Sequence, residues 1–173
     1  MKNKEAGFTL IELLTIMGII SILMTISAFA LRHYWFVRAL HGSADQVVSQ
    51  MREAQENARS ETSPFVYGAW FDVGTDKWAI VRYDPLAAGN ECTVAGHRSF
   101  DDGVVISAAS FTEETTIAPT CVPKLAGSTA SEFVFFYARG SATSGSVTLV
   151  HPSLSGKSRT IEVTPMTGRV TSS

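Results

Sequence analysis

"KEAGFTLIELLTIMGIISIL", residues 4–23, is the stretch on which the rest of the chain depends. It starts short and charged, passes through Gly7, then turns apolar with one acid, Glu12, set inside. From Phe8 to Leu31 there are 24 residues, and Glu12 is the single charged one. A helix of that length spans about 36 Å at about 1.5 Å per residue. The hydrocarbon core of a bilayer is about 30 Å thick, so a membrane-spanning helix is expected. A cleaved secretory signal has a shorter apolar core followed by a small-residue cleavage site. Here Arg32, His33, Tyr34 and Trp35 follow instead, and Tyr34, Trp35 and Phe36 have the composition of an interfacial aromatic anchor. The span is therefore expected to be retained. Lys2 and Lys4 before it nearly balance Arg32 and Arg38 after it, so charge says little about orientation.

Past the span the helical pattern continues. Leu40, Ala44, Val47, Met51, Ala54 and Ala58 recur at helical spacing and share one face. The other face carries Asp45, Gln46, Gln50, Arg52, Glu53, Gln55, Glu56 and Arg59. No proline occurs before Pro64, and the residue before a proline disfavours helix. One helix is predicted from about residue 8 to about residue 61, apolar all round in its first half and amphipathic in its second.

The period then changes. "PFVYGAWFDV" and "KWAIVRYD", separated by "GTD", predict a β-hairpin. Further strands are predicted at 103–108, 133–138, 146–151 and 159–164, the last three separated by Gly- and Ser-rich turns. Short strands so spaced predict an antiparallel sheet, and the amphipathic half of the helix needs that sheet to cover its apolar face. Residues 85–102 and 109–131 read as longer loops, each holding one cysteine. Two cysteines on an exported head favour a Cys92–Cys121 disulfide. Trp70, Trp78, Phe133, Phe135 and Phe136 read as core.

The motif at the front carries a specific resemblance. Gly7 followed by "FTLIELL" resembles the processing site of type IV prepilins. The resemblance implies a leader at 1–7, removed by a membrane-embedded prepilin peptidase between Gly7 and Phe8, and methylation of the new amino terminus on Phe8. It also implies an assembly role for Glu12, the fifth residue of the mature chain. A carboxylate inside a bilayer costs about 2.5–3.5 kcal/mol on insertion scales and usually has a partner. In the family that partner is the amino terminus of a neighbouring subunit. The alternative is that Glu12 lies near the interface and is favoured by the helix N-terminus.

The far end adds a second resemblance. "FVFFYARGSATSGSVTLVHPSLSGKSRTIEVTPMTGRV" is similar to the C-terminal β-region of the GspH/FimT group of minor pseudopilins. Residues 65–130 carry no such match. The expected fold is α+β and pilin-like: leader 1–7, transmembrane half 8–31, amphipathic half 32–62, and a β-rich head 63–173. The implied role is a minor subunit of a type II secretion pseudopilus or a type IV pilus. Its implied partners are other pilins or pseudopilins, the peptidase and an inner-membrane assembly platform. The implied location is the cytoplasmic membrane, with the head outside.

Members of the FimT type are associated with DNA uptake through a Gly-Arg-x-Arg tail. Here Gly168 and Arg169 are followed by Val170 and Thr171, so the second arginine is missing. Charge is nonetheless uneven. Residues 61–132 hold ten acids and four bases, while 133–173 hold Arg139, Lys157, Arg159 and Arg169 against Glu162. Lys157, Arg159 and Arg169 are the candidate DNA contacts, because cations that meet phosphates carry such binding.

An enzyme finds little to work with. "SGKS" at 155–158 lacks the first glycine of a phosphate-binding loop and lies between strands. The serines near Gly140 and Gly145 do not form a nucleophile elbow. His33, His41, His97 and His151 lack metal-ligand spacing, and "DDG" at 101–103 lacks the further acids of a calcium loop. No catalytic residue, metal or cofactor is expected.

Overall fold

In a computed structural model, residues 9–60, 65–87, 91–100, 103–122, 125, 127 and 129–173 are described. Helix α1 runs Leu10–Ser60, and strands follow as β1 (Val66–Phe71), β2 (Lys77–Asp84), β3 (Glu91–Ser99), β4 (Val105–Phe111), β5 (Phe133–Phe136), β6 (Gly145–Val150), β7 (Ser158–Val163) and β8 (Val170–Ser172). A one-turn helix, α2 (Ala118–Cys121), lies between β4 and β5. The chain divides into two compact units, Met1–Trp35 and Phe36–Ser173.

Within Phe36–Ser173, α1 buries Leu40, Ala44, Val47, Val48, Met51, Ala54 and Ala58. These include all six positions that helical spacing puts on one face. The strands form two antiparallel four-stranded sheets, not one, in the orders β3-β2-β1-β5 and β4-β6-β7-β8. The buried face of α1 shares a core with both. Phe71, Trp78, Val134 and Phe136 come from the first sheet; Ile106, Val147, Leu149, Ile161 and Val163 come from the second.

The two sheets differ in how many faces they bury, and the difference is written in their sequences. In β1, β2 and β5, alternate residues point to opposite faces. Phe71, Trp78, Val134 and Phe136 join the α1 core, whereas Trp70, Val81, Tyr83, Phe133 and Phe135 join a second core. That second core is closed by Ile117, Cys121 and Leu125 from the long β4–β5 connection. Burial on both faces explains why "FVFF" is an unbroken apolar run. Strands β6 and β7 bury alternate residues, so "SVTLV" and "TIEV" alternate.

Strand β3 occupies part of the segment expected to be a loop (85–102). It is an edge strand, mostly exposed, and Cys92 is its one buried residue. An exposed edge needs no apolar alternation, so the strand leaves little trace in the sequence. Its register slips between Ala79 and Val81 of β2, an irregularity that blunts an edge against stray pairing.

Cys92 on β3 and Cys121 on α2 form a disulfide with both residues buried in the second core. It pins the β4–β5 connection over the outer face of the first sheet. The bridge closes a sequence separation of 29. In the chain-entropy model a loop of that length is worth about 3–4 kcal/mol. Replacing both cysteines by serine is expected to lower the melting temperature of the head by several degrees. The connection 112–132 is expected to become the first site of limited proteolysis. A variant with unchanged melting and unchanged cleavage would contradict this role.

Candidate assembly site

The described chain opens at Thr9, so Gly7 and Phe8, the expected cleavage and methylation positions, lie outside the described residues. Thr9 precedes the first residue of α1 and acts as its cap. Its hydroxyl accepts the Glu12 backbone N–H at 3.3 Å, and its carbonyl accepts the N–H groups of Glu12 and Leu13. These bonds satisfy donors that a helix start otherwise leaves open. Glu12 is the third residue of the helix, where the helix dipole favours a negative charge. Its carboxylate oxygen lies 3.5 Å from the Thr9 hydroxyl, a long contact, and the side chain is exposed. The carboxylate thus keeps most of its accepting capacity. The cap itself uses the backbone of Glu12, not its charge.

The helix that follows is apolar on every side. Leu10 is 80% exposed and Phe29 72%, with Ile11, Leu14, Met17, Ile22, Met24 and Ile26 also exposed. It is long and apolar enough to cross a membrane. Three of the hydroxyls on it are satisfied from within: Thr15 donates to the Ile11 carbonyl, Ser21 to Met17 and Thr25 to Ser21, each at 2.8 Å. A span in lipid requires such internal pairing, because no water is there to supply it.

The candidate nucleic-acid contacts are distributed over two places. Lys157 and Arg159 belong to the β6–β7 turn and the start of β7. This turn sits where α1 enters the head. His151 is buried and stacks on Phe36 with ring centres 4.3 Å apart. Arg159 Nη2 lies 2.8 Å from His41 Nδ1 and 3.0 Å from its Nε2. Arg169 lies at the other end of β7, next to the turn from Thr164 to Arg169. That turn is held by a different part of α1. Gln55 Nε2 donates to the Thr167 carbonyl at 2.9 Å, Arg59 Nη2 to the same carbonyl at 3.3 Å, and Arg52 Nη2 to the Val170 carbonyl at 3.2 Å. His41 and Gln55 are 14 residues apart, about 21 Å along a helix. Lys157 and Arg159 therefore do not share one patch with Arg169.

The clamp of Arg52, Gln55 and Arg59 on the 164–170 turn is invisible in the sequence, where these residues belong to the polar helix face. The one local hint is Gly168. Its φ is +59°, and a Cβ there would lie 2.5 Å from Gln55 Nε2 and 2.9 Å from the Gly140 carbonyl oxygen. Gly168→Ala is expected to destabilise the head by about 1–3 kcal/mol through backbone strain and displacement of Gln55. Thermal melting of the detergent-solubilised chain checks this, and an unchanged transition would contradict it.

Burial, with Glu114 nearby, pushes the Tyr137 hydroxyl up to about 12, so this phenol stays neutral at physiological pH. Among the described residues, no group of three or more His, Cys, Asp or Glu side chains could hold a metal.

Comparison with known proteins gives two family matches. A model described as the prokaryotic N-terminal methylation motif matches residues 2–28, and one described as type II transport protein GspH matches residues 43–167. Among solved structures, two crystal forms of the type IV minor pilin FimU of Pseudomonas aeruginosa strain PAO1 are similar. One is 14% identical with a TM-score of 0.48, covering 78% of this chain and 92% of that one. The other is 15% identical with a TM-score of 0.46, covering 76% and 86%. No curated protein sequence matches the chain.

Proposed function

The chain belongs to the type II transport protein GspH family, and from that premise we propose that it is a minor subunit of a secretion pseudopilus. Its N-terminal helix anchors it in the cytoplasmic membrane, with the head on the outer side. Prepilin peptidase removes residues 1–7 by cutting between Gly7 and Phe8, and the new amino terminus on Phe8 is methylated. The inner-membrane assembly platform then draws the subunit into a short filament of other pseudopilins. There Glu12 pairs with the Phe8 amine of a neighbour and sets the axial register.

One observation supports this most: Glu12 is the lone charge between residues 9 and 31, exposed on an otherwise apolar helix. A charge so placed costs free energy in lipid unless another chain supplies its counter-ion. The role asks the head for shape and position, not for catalysis. A DNA-contact role receives no support from the separation of Arg169 from Lys157 and Arg159.

The test compares the proteins in the culture medium of a deletion strain with those of its complemented parent. Loss of specific exported proteins is the expected result. An unchanged set of exported proteins, with loss of surface pili instead, would assign the subunit to a type IV pilus.

A further inference from the structure

Helix α1 and the edge strand β3 leave a cleft between them, with a volume of about 160 Å³. Pockets that take cofactors and drug-sized ligands measure about 300–1,000 Å³, so this one has room for a single small group. Its helix side carries Gln50, Glu53 and Asn57, which share one face at helical spacing. Its sheet side carries Arg98, and Ile80, Ala54 and Ala95 supply the apolar part of the lining. A bulge in β3 produces this set. Ala79 pairs with His97 and Val81 with Val94, so Ala95 and Gly96 together oppose Ile80. Gly96 accommodates the extra residue with φ +86°. In a regular strand, residues three apart point to opposite faces, and Ala95 would part from Arg98. The extra residue turns both to the cleft. Among the described residues, the side chains of Gln50, Glu53 and Asn57 have no hydrogen-bond or ion-pair partner. Arg98 has none either, and its guanidinium lies 5.6 Å from the centre of the Trp78 ring.

We propose that this cleft binds one neutral sugar ring. A carboxylate only accepts hydrogen bonds, a guanidinium only donates them, and a carboxamide does both. Hydroxyl groups donate and accept, so one ring of hydroxyls satisfies Glu53, Arg98, Gln50 and Asn57 together. The C–H face of such a ring suits the surface of Ile80, Ala54 and Ala95. A ligand with a single charge is disfavoured, because an anion meets Glu53 and a cation meets Arg98. A docked peptide strand is disfavoured too, because it needs the regular backbone ladder that the bulge interrupts. The site takes one ring, so a longer glycan is held by a terminal or branching residue. All of its residues lie within Phe36–Ser173, so it stands independently of the membrane anchor.

The test places the full chain in phosphatidylcholine nanodiscs, which carry no sugar, and records saturation transfer from protein to ligand protons by NMR. Glucose, galactose and N-acetylglucosamine are offered singly, with empty discs as the blank. Transfer to at least one of them is expected, with a dissociation constant on the order of 1 mM for a single ring. Glu53→Gln and Arg98→Gln are each expected to weaken binding about ten-fold, the effect of losing a hydrogen bond to a charged group. Ala95→Leu fills the cleft and is expected to abolish the signal. These three side chains are exposed, so the melting temperature is expected to hold in each variant. Arg169→Gln, outside the cleft, is expected to retain the signal. No transfer to any of the sugars, or transfer that survives Ala95→Leu and Arg98→Gln, would overturn the proposal. Trialanine that receives transfer where the sugars do not would also overturn it and would reassign the cleft to polypeptide.

Discussion

Glu12→Ala is expected to leave membrane insertion and leader removal unchanged while lowering recovery in the filament fraction by roughly two orders of magnitude. On the proposed pairing, the size follows from the neighbour's Phe8 ammonium, which alanine leaves without a counter-ion in apolar surroundings at a cost of about 2.5–3.5 kcal/mol. The fold of the helix start is not the cause, because the Thr9 hydroxyl accepts the backbone N–H of residue 12 and alanine retains that bond. Glu12→Gln separates charge from shape still further: it keeps the size of the side chain and removes the counter-ion, and it is expected to fail in the same way. Both variants are measured by immunoblot of sheared filaments against total membrane. Incorporation of either at the parental level would refute the pairing.

The second large effect concerns the bond before the helix. Gly7→Leu is expected to leave the chain as an uncut precursor, with little mature form in the membrane. A glycine presents no side chain, so its backbone can approach another backbone closely. If the proposed cleavage depends on that approach, leucine is expected to block it. Without cleavage the Phe8 amine never forms, so filament entry is expected to fail even though Glu12 is present. The two changes act on one pair, and pairs in contact are not additive. Gly7→Leu combined with Glu12→Ala is therefore expected to enter filaments no worse than the poorer single variant. A Gly7→Leu chain of mature size on an immunoblot would overturn the assigned cleavage position.

The sequence discloses those features whose cause is local. The buried face of α1 is legible because Leu40, Ala44, Val47, Met51, Ala54 and Ala58 answer to helical geometry alone. Strand β5 is legible because burial on both faces demands an unbroken apolar run. Strand β3 is not, because an exposed edge imposes no pattern and Gly96, at φ +86°, interrupts it. The division into two sheets is also hidden, since alternation reports burial and not which strand lies beside which. Residues 109–131 look like a plain loop, yet Ile117, Cys121 and Leu125 within them close the second core. The candidate site divides the same way. Gly7, Phe8 and Glu12 stand in a short continuous motif. The placement of Lys157 and Arg159 at one end of β7 and Arg169 at the other depends on which part of α1 each turn meets.

The account rests on a chain that is trimmed, methylated and assembled. The intact mass of the protein recovered from sheared filaments, with its N-terminal sequence, tests all three together. The expected result is a chain that begins at Phe8, one methyl group heavier than its sequence, with Cys92 and Cys121 oxidised. A chain in that fraction that still begins at Met1, or that is cut elsewhere, would contradict the account at its centre.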